Sequence, residues 1–107
     1  MTQRQPALFQ NGDIRIRLCR YGSMLYSIKD TYIGRSLEIY GEYCGMEAQL
    51  YRQILKPGQT VIDAGANIGC HTVLFGQAVD PKGSVWTFEP QRLIFQMLCA
   101  NIAANNL

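Results

Sequence analysis

Residues 60–75 read TVIDAGANIGCHTVLF, and they decide how the rest of the chain is organised. Val61 and Ile62 form a short β-branched run behind a Lys-Pro-Gly break, and such a run is typical of a strand that is buried on both faces. We expect this strand to end at Asp63 and a helix to occupy residues 67–79. The stretch therefore predicts a strand, a tight turn and a helix.

The predicted turn has the features of a ligand-binding loop. Gly65 permits a backbone bend that residues with a β-carbon avoid, and Gly69 lets the helix lie close against the strand or lets a ligand approach its backbone. Asn67 suits the helix entrance, because its amide oxygen can accept a hydrogen bond from a first-turn N–H and Asn tolerates left-handed backbone angles. A helix that begins at such a turn offers free N–H groups and the positive end of its dipole.

A second acidic residue ends the next predicted strand, SVWTFE over residues 84–89. Glu89 lies twenty residues after Gly69, which is the distance at which nucleotide-binding βαβ units place the carboxylate that accepts hydrogen bonds from ribose hydroxyls. Charge-assisted hydrogen bonds of this kind are worth about 1.5–3 kcal/mol each. We therefore expect Glu89 to bind a ribose.

The loop distinguishes in part between two cofactors that contain a ribose. The dinucleotide pattern GxGxxG, aligned on Gly65, requires glycine where Asn67 and Cys70 stand. Asp63 also puts a carboxylate where a pyrophosphate would be repelled and the ammonium group of a methionine tail would be attracted. S-adenosylmethionine is therefore the favoured cofactor, and an NAD-dependent oxidoreductase is the less favoured alternative.

Several of these segments resemble a known family. The residues at 63–69, DAGANIG, followed by FEP at 88–90, are similar to the paired signature of the FkbM family of S-adenosylmethionine-dependent methyltransferases. The similarity extends to DTYIG at 30–34, YGEY at 40–43 and NIAANNL at 101–107. It therefore covers most of the chain from about Tyr21 onward.

The resemblance implies an α/β fold, namely an incomplete Rossmann-like doubly wound sheet of the class I methyltransferase type, preceded by an N-terminal β-hairpin and a helix. Residues 1–41 would form the arm, the hairpin and a connecting segment, and residues 42–107 the first helix and the β-α-β-α portion of the methyltransferase domain. The implied reaction is O-methylation of a hydroxyl on a small molecule or sugar, and no catalytic base is identified. The implied cofactor-binding residues are Asp63, Gly65, Ala66, Asn67, Gly69 and Glu89.

The resemblance also leads us to expect that part of the family's sheet is missing. The chain stops after the second helix of that sheet, and in similar enzymes the later strands carry the adenine contacts and much of the acceptor pocket. We therefore expect little or no turnover from these 107 residues alone. The alternative function is a truncated, non-catalytic fragment that keeps only part of the cofactor cradle.

The composition is that of a globular protein within the size of one domain, with 48% hydrophobic and 17% charged residues. A net charge of +2 is too small and too scattered to favour nucleic acid or an anionic membrane as a partner. The uncharged stretches are too broken to span a bilayer. The resemblance to the FkbM family implies a small-molecule or sugar acceptor as the partner.

The four cysteines lie at positions 19, 44, 70 and 99 and form no CxxC pair. His71 is the one histidine that could bind a metal together with them. No metal site is therefore predicted. Because the N-terminus has no secretory signal, we expect reduced thiols in a cytoplasmic protein. Cys70 is expected to be a small buried hydrophobe rather than a nucleophile, and His71 a packed helix residue rather than a ligand contact.

The N-terminal segment contains a predicted hairpin. Residues 1–10 have no periodicity and are expected to form a loose arm. Residues 14–19 alternate apolar and polar side chains, which predicts a half-buried strand, and residues 24–28 return as its partner. We expect Arg15 and Arg17 to form a solvated face of this strand rather than a phosphate site.

The next segment, residues 29–41, has no clear pattern. In proteins of the FkbM family the region of Asp30 lies near the mouth of the active site, but a side chain that caps a turn explains Asp30 equally well. Residues 42–55 predict a helix, because four apolar side chains fall on one face at helical spacing. These side chains are Tyr43, Met46, Leu50 and Ile54.

The last predicted helix follows Pro90 and runs to Ile102. It is apolar around most of its circumference, which is more than a terminal surface helix requires. We therefore expect an exposed apolar helix face through which the chain can self-associate. Trp86, in the preceding strand, is expected in the core.

Overall fold

Two small sheets and four helices make up the described part of the chain, which is residues 6–107 of the computed structural model. The protein has an α/β fold, as its sequence predicts. In chain order the elements are β1 (Ala7–Asn11), β2 (Ile14–Cys19), β3 (Gly22–Ser27), α1 (Ile33–Tyr40), α2 (Gly45–Ile54), β4 (Thr60–Ala64), α3 (Cys70–Val79), β5 (Ser84–Phe88) and α4 (Arg92–Ala104). Among residues 6–107 we find no helix with the length and hydropathy of a bilayer-spanning segment.

The predicted hairpin is present, and a third strand extends it. β1, β2 and β3 form an antiparallel sheet in that order, with an irregularity in the β1 pairing just before Phe9. The expectation of a loose arm over residues 1–10 is therefore wrong for residues 7–10. The free edge of β2 offers backbone hydrogen-bonding partners to a strand that has no apolar alternation of its own. Residues 1–5 lie outside the described part of the chain.

The arginine face of β2 is covered rather than solvated. Arg15 and Arg17 oppose Tyr26 and Met24 of β3, and directly opposed residues of antiparallel strands project from the same face. Tyr26 and Met24 are 0% and 4% exposed, whereas Leu18 on the other face of β2 is 55% exposed. The predicted strand is confirmed but the predicted solvated face is wrong, because alternation within one strand does not indicate which face a helix will cover.

Helix α1 occupies the segment that has no clear sequence pattern. Oδ1 of Asp30 accepts hydrogen bonds from the backbone N–H groups of Tyr32 and Ile33, at 3.0 and 3.1 Å. Gly41 ends the helix in the left-handed conformation, with a φ of 69°. Of the two interpretations of Asp30, the local one therefore describes its contacts, since this side chain organises the turn that leads into α1.

Helix α2 lies within the predicted range but buries a different face. Met46, Leu50 and Ile54 are 87%, 52% and 56% exposed, so the predicted core face is wrong. Ala48 is fully buried instead, and Tyr51 packs beside it against residues of α3. The helix has two apolar stripes at helical spacing, and the position of α3 decides which of them is covered.

β4 and β5 form a parallel pair joined by α3, so both predicted strands and the helix between them are confirmed. Only one face of this pair is covered in the described residues. Val61 and Val85 pack against the core, whereas Ile62, Trp86 and Phe88 are 73%, 61% and 55% exposed. The predictions of a strand buried on both faces and of Trp86 in the core are therefore wrong. The β-branched composition of β4 does not reveal how many faces are covered.

Two asparagine side chains of helix α4 form hydrogen bonds with the backbone of the edge strand β3. Asn101, which is 0% exposed, accepts a hydrogen bond from the Leu25 N–H at 2.6 Å and donates one to the Leu25 carbonyl at 3.0 Å. Asn105 does the same with the N–H and carbonyl of Ser23, at 3.0 and 2.8 Å. Alternate residues of β3 thus pair with amide side chains as they would with a neighbouring strand.

Part of α4 remains uncovered, as its apolar composition predicts. Leu98 is fully buried, and Ile94 and Met97 pack against the core that contains Met24 and Tyr26. Two further side chains of this helix are largely exposed, namely Leu93 at 67% and Phe95 at 45%. Self-association through this face stays a prediction.

Candidate functional site

The two predicted acidic residues lie at the same edge of the parallel sheet. Asp63 is the fourth residue of β4 and opposes Thr87 of β5. Glu89 follows β5 directly, two residues beyond Thr87. Because the carboxyl ends of parallel strands meet at one sheet edge, both carboxylates border the loop over residues 65–69, where α/β proteins bind their ligands.

The backbone of the loop adopts the conformations that its residue types favour. Gly65, Asn67 and Gly69 have positive φ angles of 74°, 54° and 95°. The expected bend at Gly65 and the left-handed conformation of Asn67 are therefore present. The helix itself begins at Cys70, with Gly69 as its cap residue. The expected start at Asn67 is wrong by three residues, because its left-handed backbone is incompatible with a helix and its amide oxygen accepts instead from the adjacent Ile68 N–H at 2.9 Å.

Hydrogen bonds between backbone groups hold the loop against the end of β5. The N–H groups of Gly65 and Ala66 both donate to the carbonyl of Phe88, at 2.9 and 3.0 Å. Gly69 is buried, and a β-carbon built there would come within 2.7 Å of Cδ1 of Leu98. Gly69 therefore allows the close approach of α4 to the loop, a contact that differs from the predicted ones with the following helix or with a ligand.

Two backbone N–H groups orient the carboxylate of Glu89. Oε1 accepts a hydrogen bond from the Asn67 N–H at 2.9 Å, and Oε2 accepts one from the Gln91 N–H, also at 2.9 Å. An ionised carboxylate has about four acceptor positions on its two oxygens. Each oxygen of Glu89 therefore retains acceptor capacity while the loop fixes its direction.

The carboxylate of Asp63 has one hydrogen-bond donor among residues 6–107, the hydroxyl of Thr72. Oγ1 of Thr72 donates to Oδ2 of Asp63 at 2.6 Å, and Thr72 is 3% exposed in the first turn of α3. Within residues 6–107, no basic side chain forms an ion pair with Asp63 or Glu89. Neutral donors thus hold two carboxylates beside one loop, and a positively charged ligand group would be attracted to them.

Sequence reasoning missed two residues that build this site. Thr72 was not identified, although a hydroxyl in the first turn of a helix that follows an acid-ended strand is a usable signal. Asn101 was quoted only as part of a resemblance. Its amide nitrogen donates to the carbonyl of Ile68 at 2.7 Å, and this ties the loop to α4. No local pattern indicates a contact between residues 33 positions apart.

Cys70 and His71, which follow the loop at the start of α3, are packed against other side chains. The ring of His71 lies 5.3 Å from that of Tyr51 and 6.0 Å from that of Tyr43, between centroids, and its Nε2 is 3.9 Å from a carboxylate oxygen of Glu47. Burial raises the pKa of the Cys70 thiol to about 12. Cys70 is therefore a neutral, poorly nucleophilic thiol at pH 7, as expected, and His71 packs among aromatic rings.

A further carboxylate, Glu38 of α1, contacts arginine and tyrosine side chains of the antiparallel sheet. Glu38 contacts Nη1 of Arg15 at 2.5 Å, Nε and Nη2 of Arg17 at 3.1 Å, and the hydroxyl of Tyr26. Burial opposes ionisation of Glu38, but hydrogen bonds from Tyr26 and Arg17 and the charges of both arginines outweigh it and hold the pKa of Glu38 below its usual value. Burial and the hydrogen bond to Glu38 raise the pKa of Tyr26 to about 12.

In comparisons with known proteins, no family model, curated protein or solved structure matches this chain. The assignment of a function therefore depends on the geometry of the loop and on the residues that border it.

Proposed function

We propose that the loop over residues 65–69, with Asp63 and Glu89, is the S-adenosylmethionine site of a methyltransferase of the FkbM type. On this proposal the chain is the first part of a Rossmann-like sheet, with the cofactor at the carboxyl ends of β4 and β5. The methylated group would be a hydroxyl on a small molecule or sugar. The family is inferred from the sequence resemblance, and the cofactor is inferred from the residues of the site.

The orientation of Glu89 is the observation on which the proposal depends most. Hydrogen bonds from Asn67 and Gln91 fix both of its oxygens, yet each oxygen can accept another hydrogen bond. A ribose presents two adjacent hydroxyl donors, so one carboxylate of fixed direction can bind both. Because the carboxylate is already oriented, little side-chain entropy is lost on binding.

The other site residues fit the methionine end of the cofactor. Asp63 would attract the ammonium group, while Thr72 keeps the carboxylate in one orientation. The N-terminus of α3 is positive and would favour the carboxylate of the same methionine tail. S-adenosylmethionine supplies a methyl group from its sulfonium, and the contribution of these residues would be to hold the donor in line with its acceptor.

A non-catalytic chain with an incomplete cofactor cradle is the second candidate, and one observation favours it. The outer face of the parallel sheet exposes Ile62, Trp86 and Phe88, although sheets of parallel strands usually have helices on both faces. Elements that would supply the adenine contacts and the acceptor pocket are not among the described residues. Binding without turnover is the behaviour that separates this candidate from the enzyme.

Calorimetric titration with S-adenosylhomocysteine tests the proposal, since this compound keeps the ribose and the ammonium group. We expect saturable binding that Glu89→Ala weakens about ten- to a hundredfold. Glu47→Ala is the matched control, because Glu47 is an exposed carboxylate on α2, and it should leave the affinity unchanged. NAD should compete poorly. Equal affinities of the wild type and Glu89→Ala would remove Glu89 from the site, and tight NAD binding would favour an oxidoreductase.

A further inference from the structure

A cavity of about 390 Å³ lies beside α3, and none of the proposed cofactor-binding residues lines it. Three elements meet there, namely the turn between β2 and β3, the last turn of α2 and the second half of α3. The cavity is large enough for a small organic molecule. Its lining residues are Arg20, Tyr21, Arg52, Leu74, Gln77 and Ala78.

Two guanidinium groups approach the same aromatic ring in this cavity. Cζ of Arg20 and Cζ of Arg52 each lie 5.7 Å from the centroid of the Tyr21 ring, within the range of a cation–π interaction. Arg20 and Arg52 come from different elements, so the fold, rather than local sequence, brings them together. The ring attracts each cation, but the two cations repel one another.

The nearby carboxylate balances only one of the two charges. Nη1 of Arg20 lies 3.3 Å from a carboxylate oxygen of Glu42, in an ion pair that is exposed to solvent. Among the residues that the structure describes, no carboxylate pairs with Arg52. The cavity therefore has a surplus of one positive charge.

Neutral hydrogen-bonding groups border the same space. Nε2 of Gln77 donates to the backbone carbonyl of Tyr21 at 2.5 Å, which fixes this side chain at the cavity wall. Leu74 and Ala78 supply apolar surface. Charged, polar and apolar groups thus converge as they do in sites for small charged molecules.

We propose that this cavity binds the phosphate group of a small phosphorylated molecule. Guanidinium groups bind phosphate with paired, charge-assisted hydrogen bonds, and a dianion can neutralise Arg52 and compete with Glu42 for Arg20. The cavity volume leaves room for the organic part of the ligand against Leu74 and Ala78. This site is separate from the proposed cofactor site.

The test is an NMR titration of the chain with inorganic phosphate and with acetate at constant ionic strength. We expect saturable shifts of the Arg52 and Gln77 side-chain signals with phosphate, and weaker shifts with acetate, because phosphate carries more negative charge and more acceptor oxygens than a carboxylate does. Arg52→Gln should weaken phosphate binding about tenfold or more. Glu42→Gln should strengthen it about two- to fivefold, because Arg20 loses its competing partner.

Arg92→Gln is the matched control, since it removes the same charge from an exposed position at the start of α4. If Arg52→Gln and Arg92→Gln weaken binding equally, the effect is one of net charge and the proposal fails. Shifts confined to residues 63–69 would also overturn it. Glu89→Ala should leave phosphate binding unchanged, so this site and the cofactor site can fail separately. Anionic phospholipid vesicles should give no larger response than free phosphate, and a larger one would assign the site to a membrane surface.

Discussion

Two groups of side chains in this molecule hold their carboxylates in opposite ways. Glu38, between the antiparallel sheet and α1, is surrounded by the charges of Arg15 and Arg17 and by a tyrosine hydroxyl. Asp63 and Glu89, at the end of the parallel pair, are held by a threonine hydroxyl and by backbone N–H groups. The negative charge of Glu38 is neutralised by the arginines beside it, whereas Asp63 and Glu89 are oriented but keep their negative charges.

This difference separates a structural role from a binding role. A half-buried carboxylate whose charge is neutralised within the chain has little attraction for a cationic ligand. Its removal destabilises the fold, because its partners lose the charge that they contact. An oriented carboxylate without a cation retains its capacity to attract one, and its removal should affect ligand binding more than folding. The following predictions test whether the two groups differ in this way.

The largest effect should come from Asn101→Ala, which disconnects the loop at the second group from α4 and β3. The substitution leaves two partly buried backbone groups of Leu25 and the buried carbonyl of Ile68 without their partner. We expect a loss of about 4 kcal/mol in the free energy of unfolding, from unpaired polar groups and a new cavity. Urea denaturation provides the measurement, with the exposed Gln96→Ala on the same helix as the control. A loss close to that of the control would mean that neutral donors do not hold this region together.

Glu38→Gln should have the next largest effect. It removes the carboxylate charge that contacts both Arg15 and Arg17, whose side chains are 23% and 11% exposed. We expect the free energy of unfolding to fall by about 3 kcal/mol, the lower end for a broken buried pair because these side chains are partly exposed. Glu47→Gln, on the surface of α2, is the control for urea denaturation at pH 7. If the two variants had equal stability, the first group would be no more structural than an ordinary surface charge.

The conformation of the loop could be predicted from sequence because it depends on local chemistry. The positive φ angles of Gly65, Asn67 and Gly69 follow from residue types that tolerate them. The two strands and the helix between them could be predicted for the same reason. The sequence predicts Asp63 from its position before the glycine turn and Glu89 from its spacing after Gly69, and their place at one sheet edge follows from parallel pairing.

The choice of buried face could not be predicted, because it depends on elements distant in sequence. The periodicity of the sequence predicts the strand β2 but not the burial of Arg15 and Arg17. It likewise predicts the helix α2 but not the exposure of Met46. Trp86 is exposed because none of the described elements covers its face of the sheet. Asn101 pairs with a strand 76 residues earlier in the chain, and no local pattern contains that partner.

The pH dependence of stability should also distinguish the two groups, with a smaller change in stability than the two substitutions above. The pKa of Glu38 is lowered in the folded protein, so its contribution is fully present above the unfolded value of about 4.3 and is lost as the pH falls through the folded value. We expect the wild type to lose stability faster than Glu38→Gln as the pH is lowered from 5 to 3. Thermal unfolding across this range is the measurement. Parallel curves for the two proteins would show that Glu38 is not the group responsible.

Thr72→Val should have the smallest effect on folding and the most selective effect on binding. The substitution keeps the shape of a buried side chain but removes the only donor that we find for Asp63 among residues 6–107. The unfolding free energy should fall by about 1 kcal/mol. If Asp63 binds an ammonium group, the loss of its orientation should also weaken S-adenosylhomocysteine binding severalfold, while the balanced Glu38 cluster is untouched. Thr87→Val, on the opposing strand, is the control for calorimetric titration. A variant that lost stability but kept the wild-type affinity would show that Thr72 holds Asp63 for the fold alone, and the contrast between the two groups would then depend on Glu89.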